Sequence, residues 1–506
     1  MQKVIIDGSP LSIDEVVSVA TGAAVVSLGA GLRDRMTPAC DLVKEIIEAD
    51  TTVYGITTGF GALANTRIRA DQAAELQVDL LRSHAAGVGD LVDRATVRAM
   101  LLLRARTLSQ GHSGVRPEIV AFLVELLNRD LLPAVPSQGS VGASGDLAPF
   151  AHLALPLIGE GFLLVDGEPV PGAEALAAAG IEPLVLEPKE GLSLLNGTEG
   201  MLAMGCLAVD RARKLADAAD AACALSIEAL MGSARPFEAR IHLLRPHPGQ
   251  IVSARNIARL IDGSQIGASH AQDFGHKVQD AYSLRCAPQV HGSVRDTIDH
   301  AVAVFERELG SVVDNPLVFP EDGDVVSGGN FHGQPLAFVL DFLAIAMTEL
   351  GSISERRTDR ILDPERSSGL TPFLATRPGI DSGYMLAQYT AAALVAENRV
   401  LSHPASVESI PTSGSQEDHV SMGWGAARKL GDVLTNTGHV LAVELVCAAQ
   451  GCQQRRPLRP APGSGWVLSE VRSVVPPLEG DRPPGPDIEA AAALIESGRL
   501  SVPPQG

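Results

Sequence analysis

Aromatic side chains are scarce in this 506-residue chain: they make up 4% of it, with two tryptophans and four tyrosines. Sheets rely on aromatic and β-branched residues to cover their pleated faces. Their shortage, beside abundant alanine and leucine, favours packed helices. Positive charge is short as well, since 40 Lys and Arg face 60 Asp and Glu for a net charge of −20. That balance argues against nucleic acid or an anionic membrane as partner. The six cysteines (Cys40, Cys206, Cys223, Cys286, Cys447, Cys452) show no paired metal spacing. Several lie in apolar stretches, the pattern of buried free thiols in a reducing compartment. No HExxH, CxxC or P-loop occurs, so neither a metal nor a nucleotide is expected. The stretch Met1–Gly8 lacks the apolar run of a signal peptide. The most apolar helix candidate, Leu336–Met347, is interrupted by Asp341 and is shorter than a bilayer span. A cytoplasmic location with no membrane partner is the expectation.

Apolar residues at 45% and charged ones at 20% suit a globular protein with a large core. The length suggests two or more structural units. Val4–Ile6 reads as a short strand, and Ser12-Ile13-Asp14-Glu15 is a capping-box pattern opening a helix. The glycine- and threonine-rich run from Thr51 to Thr66 reads as a loop. Helices are expected over 72–85, 94–109 and from Arg116-Pro117 to about Asn128. Asp166-Gly167 and Asp322-Gly323 sit between short apolar runs as hairpin turns. Ala/Leu-rich segments at helical period follow over 201–232, 293–311, 334–357, 382–401 and 425–450. The expected fold is mainly α: a loop-rich N-terminal part over 1–200, a long-helix bundle over 201–453, and a proline-rich tail with short helices over 454–506.

The most informative stretch is Gly139-Ser140-Val141-Gly142-Ala143-Ser144-Gly145-Asp146-Leu147-Ala148-Pro149. On the residues alone, two readings stand. The commoner one is a Gly/Ser turn whose Asp146 caps the next helix. In the other, the nitrogen of Gly145, unhindered by any side chain, closes on the carbonyl carbon of Ala143. Loss of water from Ser144 then leaves an exocyclic methylidene, an electrophile made from backbone.

Gly142–Pro149 resembles the signature of the aromatic amino-acid ammonia-lyases, whose Ala-Ser-Gly forms a methylidene-imidazolone group. Matching blocks run from about Tyr54 to Trp424. The resemblance implies that Ala143, Ser144 and Gly145 cyclise autocatalytically, with no metal or nucleotide. It implies that Tyr54, in Tyr-Gly-Ile-Thr-Thr-Gly-Phe-Gly, is the base for the β-proton and that Tyr282 lines the methylidene group. Arg285, three residues on, matches the anchor of the substrate carboxylate, a task suited to a forked guanidinium. Asn196 falls beside the electrophile and carboxylate, and Phe331 in Gly-Gly-Asn-Phe-His packs near the electrophile in relatives. Ser83-His84 is similar to the histidine-selective members, where phenylalanine- or tyrosine-selective ones carry Phe or His followed by Leu. Glu417, in Gln416–Gly423, matches a carboxylate placed near substrate in the same members. The implied reaction is elimination of ammonia from L-histidine to give trans-urocanate, in a homotetramer whose sites combine residues of three subunits.

Three positions depart from the pattern. Thr57 stands where many relatives carry Asn, Glu199 where Gln is common, and Gln334 where Glu or Ala is expected; Gly333-Gln334 also occurs in aminomutases. A phenylalanine or tyrosine lyase and an aminomutase share the electrophile and are the alternative enzymes. The alternative without catalysis is a helical scaffold whose Ala-Ser-Gly never cyclises.

Overall fold

In a computed structural model, which describes residues 2–59, 61, 66–69, 72–271 and 278–501, nineteen α-helices account for most of the chain. Phe60 and residues 62–65 of the expected 51–66 loop, and residues 502–506 of the tail, lie outside the described residues. The small sheets have two or three strands each. The chain divides into two compact units.

The first unit comprises Met1–Leu207, Val302–Leu340 and Pro404–Arg428. Its opening strand, Gln2–Ile6, pairs in parallel with Ala24–Leu28, a strand the sequence reading passed over. Between them the capping box forms as expected: Ser12 Oγ accepts from Glu15 N–H, and Glu15 returns a carboxylate oxygen to Ser12 N–H. At the centre lies the helix Arg94–Leu108, buried at every position from Thr96 onward. Apolar residues all round permit that, but Arg98, Arg104 and Arg106 must then find partners inside. Arg98 donates to the carbonyls of Val19 and Leu127, and Arg106 to that of Ser311. Arg104 serves the site described below. Hairpins form at both Asp-Gly turns, Phe162–Val165 with Glu168–Pro171 and Leu317–Phe319 with Asp324–Val326.

The second unit comprises Ala208–Ala301, Asp341–His403 and Lys429–Gly506. Its core holds a hydrogen-bonded charge network. Glu444 accepts two bonds from Arg357, at 2.5 and 2.8 Å, Asp220 pairs with His291 at 2.8 Å and with Arg295 at 2.7 Å. Arg357 also reaches the Ser283 carbonyl at 3.3 Å, next to Tyr282. In the C-terminal region, helices Pro462–Arg472 and Gly485–Glu496 form between proline-rich stretches.

The apolar helix departs from expectation. It runs 29 residues, Gln334–Leu362, and is long and apolar enough to cross a membrane by length and composition. Of its apolar window, 67% is buried inside the protein. Asp341, which interrupts the run in sequence, is buried and paired with Lys429 at 3.1 Å.

Candidate active site

The Gly139–Pro149 stretch is a loop in which four positions take left-handed backbone. Gly139, Gly142, Ser144 and Gly145 have φ of +141°, +79°, +52° and +85°. For Ser144 that conformation is costly, and such strain persists only where surroundings impose it. The second strand of contacts comes from Asn196-Gly197. Gly197 N–H donates to the Ser144 carbonyl at 3.1 Å, and the Gly197 carbonyl accepts from Asp146 N–H at 2.8 Å. A Cβ on Gly145 would collide with that Gly197 carbonyl, so only glycine permits the approach. On the other side, Met422 N–H donates to the Val141 carbonyl at 3.0 Å.

Asp146 does not cap the following helix with its side chain, contrary to the turn reading. Its buried carboxylate instead accepts from Met201 N–H at 2.8 Å and Ser140 Oγ at 3.2 Å. Burial pushes its pKa up to about 7, against the pull of those two donors.

Behind the loop, the Arg104 guanidinium stacks over Phe150 and donates to the carbonyls of Ser193, at 3.2 Å, and Asn196, at 2.5 Å. It pairs with buried Glu199 at 2.8 Å, so the carboxylate at this departure position balances a charge that a glutamine would leave uncompensated. Asn196 is 3% exposed, and its Nδ2 donates to Asp314 Oδ1 and the Asn315 carbonyl. Asp314 is held in turn by Lys189 at 2.9 Å, both fully buried. Arg104, Lys189 and Asp314 carried no sequence signal, because nothing local distinguishes a buried ion from a surface one.

Tyr54, His84 and Glu417 belong to the same unit, and the Glu417 charge acts on both of the others. The Tyr54 hydroxyl accepts from Gly61 N–H at 3.4 Å. Burial raises its pKa, the Gly61 N–H lowers it and the Glu417 charge raises it again. His84 Nδ1 lies 2.9 Å from the Leu80 carbonyl and 3.1 Å from Ser83 Oγ. A carbonyl can only accept, so Nδ1 carries the hydrogen and Nε2 is left as an acceptor. Burial lowers the His84 pKa, outweighing the Leu80 carbonyl and the Glu417 charge, and keeps the ring neutral at pH 7. Thr57 bonds the Thr51 carbonyl at 2.7 Å and fixes the turn beneath Tyr54. Phe331 is half-buried on the turn before the long apolar helix, and its neighbour His332 approaches the His419 carbonyl at 3.2 Å. Gln334 donates to the Ser406 carbonyl at 3.2 Å.

Tyr282 and Arg285 belong to the second unit, on the short helix Tyr282–Arg285. Tyr282 is 71% exposed, with the Arg285 guanidinium 4.4 Å from its ring centre. Arg285 donates to the Asp280 carbonyl at 2.9 Å and, among the described residues, pairs with no carboxylate. It lines a cavity of about 1120 Å³.

A family model for aromatic amino acid lyases matches residues 11–473. The chain is 53% identical over 496 residues to histidine ammonia-lyase of Gloeobacter violaceus, with 98% of this chain and 96% of that one covered. It is 52% identical over 501 residues to histidine ammonia-lyase of Sorangium cellulosum, with 97% of each covered. Its fold is similar to that of tyrosine aminomutase from Streptomyces globisporus, with a TM-score of 0.92 and 42% identity over 98% of this chain and 97% of that one. Histidine ammonia-lyase from Trypanosoma cruzi gives a TM-score of 0.90 and 43% identity over 99% and 94%.

Proposed function

Because this chain belongs to the aromatic amino acid lyases, we propose that it eliminates ammonia from L-histidine, giving trans-urocanate. It is a carbon–nitrogen lyase. The observation that carries the choice of histidine is that Glu417, which lies against the Gly61 that bonds the Tyr54 hydroxyl, acts with its charge on both Tyr54 and His84: two acceptors for ring N–H groups stand near the candidate base.

The residues fit a methylidene-imidazolone made from Ala143, Ser144 and Gly145. Ser144 and Gly145 are already in left-handed backbone, and the space a Gly145 side chain would fill is taken by Gly197. When formed, the group supplies an electrophilic carbon that takes up electrons from the substrate and makes its amine a leaving group. Arg285 holds the substrate carboxylate with two parallel hydrogen bonds. Asn196, its Nδ2 committed to Asp314 and Asn315, stands next to Gly197, which bonds the Ser144 carbonyl. Tyr54 takes the β-proton, the C–N bond breaks, and the electron pair left on the β-carbon becomes the new double bond. Half-buried Tyr54 is protonated at neutral pH when alone; the substrate's ammonium supplies positive charge that draws its pKa down.

The homotetramer with shared sites is part of the same proposal. Exposed Tyr282, and Arg285 with no carboxylate partner among the described residues, suit a surface that completes a site in another copy. The six free cysteines, five of them buried, suit a reducing cytoplasm.

Tyr54→Phe keeps the ring and its packing while removing the hydroxyl. Its kcat is expected to fall by roughly 10²–10⁴, the range of a positioned acid–base group, with no loss of the modified loop. A variant within a few-fold of the parent would reduce Tyr54 to packing.

The test of the function is an ultraviolet assay with L-histidine, L-tyrosine and L-phenylalanine side by side, with products identified. A second reading is favoured by Gly333-Gln334 and by the likeness to tyrosine aminomutase: ammonia re-added at the β-carbon. Accumulating β-amino acid in place of the unsaturated acid would establish that reading.

A further inference from the structure

Glu417 ends a tight excursion, Thr412–Glu417, that closes on itself. Thr412 N–H donates to the Glu417 carbonyl at 2.8 Å, and Glu417 N–H returns to the Thr412 carbonyl at 3.3 Å. Between them Ser413, Gly414 and Ser415 take φ of +50°, +62° and +67°. Two of the three carry side chains that disfavour this backbone, so the closing bonds are holding a shape the chain would not adopt freely.

The Thr412 hydroxyl faces Glu417 too. Its Oγ1 lies 3.1 Å from Glu417 Oε2 and 3.3 Å from the Glu417 carbonyl, so the residue that closes the loop also holds one oxygen of its carboxylate at the shorter distance. The next residue faces the tyrosine turn: a Cβ on Gly61 would collide with Ser413 Oγ, and Gly61 N–H is the donor to the Tyr54 hydroxyl. One six-residue loop therefore aims Glu417 and backs the turn that carries Tyr54.

We infer that Thr412 is a positioning residue for recognition of the substrate's ring, acting through Glu417. The inference rests on Glu417 reading the imidazole, as in the proposed function. With Oε2 tied to Thr412, Oε1 is presented to a ring N–H in one orientation. Without that tie the half-buried Glu417 side chain regains rotamers, and the acceptor is dispersed.

Thr412→Val removes the hydroxyl and keeps the β-branched shape and the two backbone bonds. A hydrogen bond to a charged group is worth enough for a change of about tenfold. In Thr412→Val, kcat/KM for L-histidine is expected to fall about tenfold, mainly through KM. Competitive inhibition by trans-urocanate should weaken by a similar factor. Inhibition by trans-cinnamate, which has the same carboxylate and double bond without ring nitrogens, should stay within about twofold. Thr412→Ser should restore most of the loss. In a Glu417→Gln background, adding Thr412→Val should change urocanate binding little, since the two act as one unit. Equal weakening toward urocanate and cinnamate would show a loop collapse and overturn the inference, as would a valine variant like the parent. If the parent itself ignores L-histidine, it is the proposed function that fails, a result read before any variant is made.

Discussion

Ser144→Ala is expected to abolish activity while leaving a folded protein, and the clearest reading of it is mass. If Ala143-Ser144-Gly145 cyclises, the parent protein weighs less than its encoded sequence by two waters, one from ring closure and one from Ser144. Alanine cannot lose the second water, because it has no hydroxyl, so the variant should regain one water or both. The hydrogen bonds that tie the loop to Gly197 run between backbone atoms and use no Ser144 hydroxyl: Gly197 N–H to the Ser144 carbonyl, and Asp146 N–H to the Gly197 carbonyl. The frame around position 144 should therefore survive the change, with the φ of +52° costing alanine about what it costs serine. Thermal unfolding within a few degrees of the parent would confirm that activity was lost for chemical reasons. Active parent protein at its full encoded mass would rule the electrophile out.

The elements that were legible in the sequence are those that depend on near neighbours. The Ser12–Glu15 capping box, the two Asp-Gly hairpins and the long Ala/Leu-rich helices each need only a few adjacent residues to be recognised. Ala24–Leu28 escaped because a parallel partner lies some twenty residues away, with a helix between. The helix expected over 334–357 runs on to Leu362, because Asp359 and Arg360 end the apolar period without breaking the helix. At the site, motif resemblance reached the residues that would touch substrate. It did not reach the groups that hold them. Arg104 is one of four arginines in the helix Arg94–Leu108, and nothing in that segment says it will meet Glu199, 95 residues on. Asp146 carried a signal, a helix start, that pointed to capping; its carboxylate went instead to Met201, a bond only the folded chain can offer.

The preference for histidine should be the largest effect after loss of the electrophile. His84 Nε2, left as an acceptor by the Nδ1 bond to Leu80, and the Glu417 carboxylate both call for a ring that can donate. L-phenylalanine leaves them unpaired on closing the site, and each buried unsatisfied group costs on the order of 1–3 kcal/mol. Sites built around such bonds reject the analogue that lacks them by about 10⁴–10⁵. The expected kcat/KM of the parent therefore strongly favours L-histidine. Ser83→Phe with His84→Leu removes the acceptor and the hydroxyl beside it, and should erode the preference mainly by destroying activity on histidine. Gain on phenylalanine should stay small in that double variant, because Glu417 would still face an apolar ring. Adding Glu417→Gln removes the charge and should raise phenylalanine turnover above that of the double variant. The measurement is kcat/KM for both amino acids in the parent, the double and the triple variant. A parent that processes phenylalanine or tyrosine better than histidine would overturn the substrate assignment while leaving the lyase chemistry in place. A double variant that keeps its histidine activity would show that Glu417 alone reads the ring.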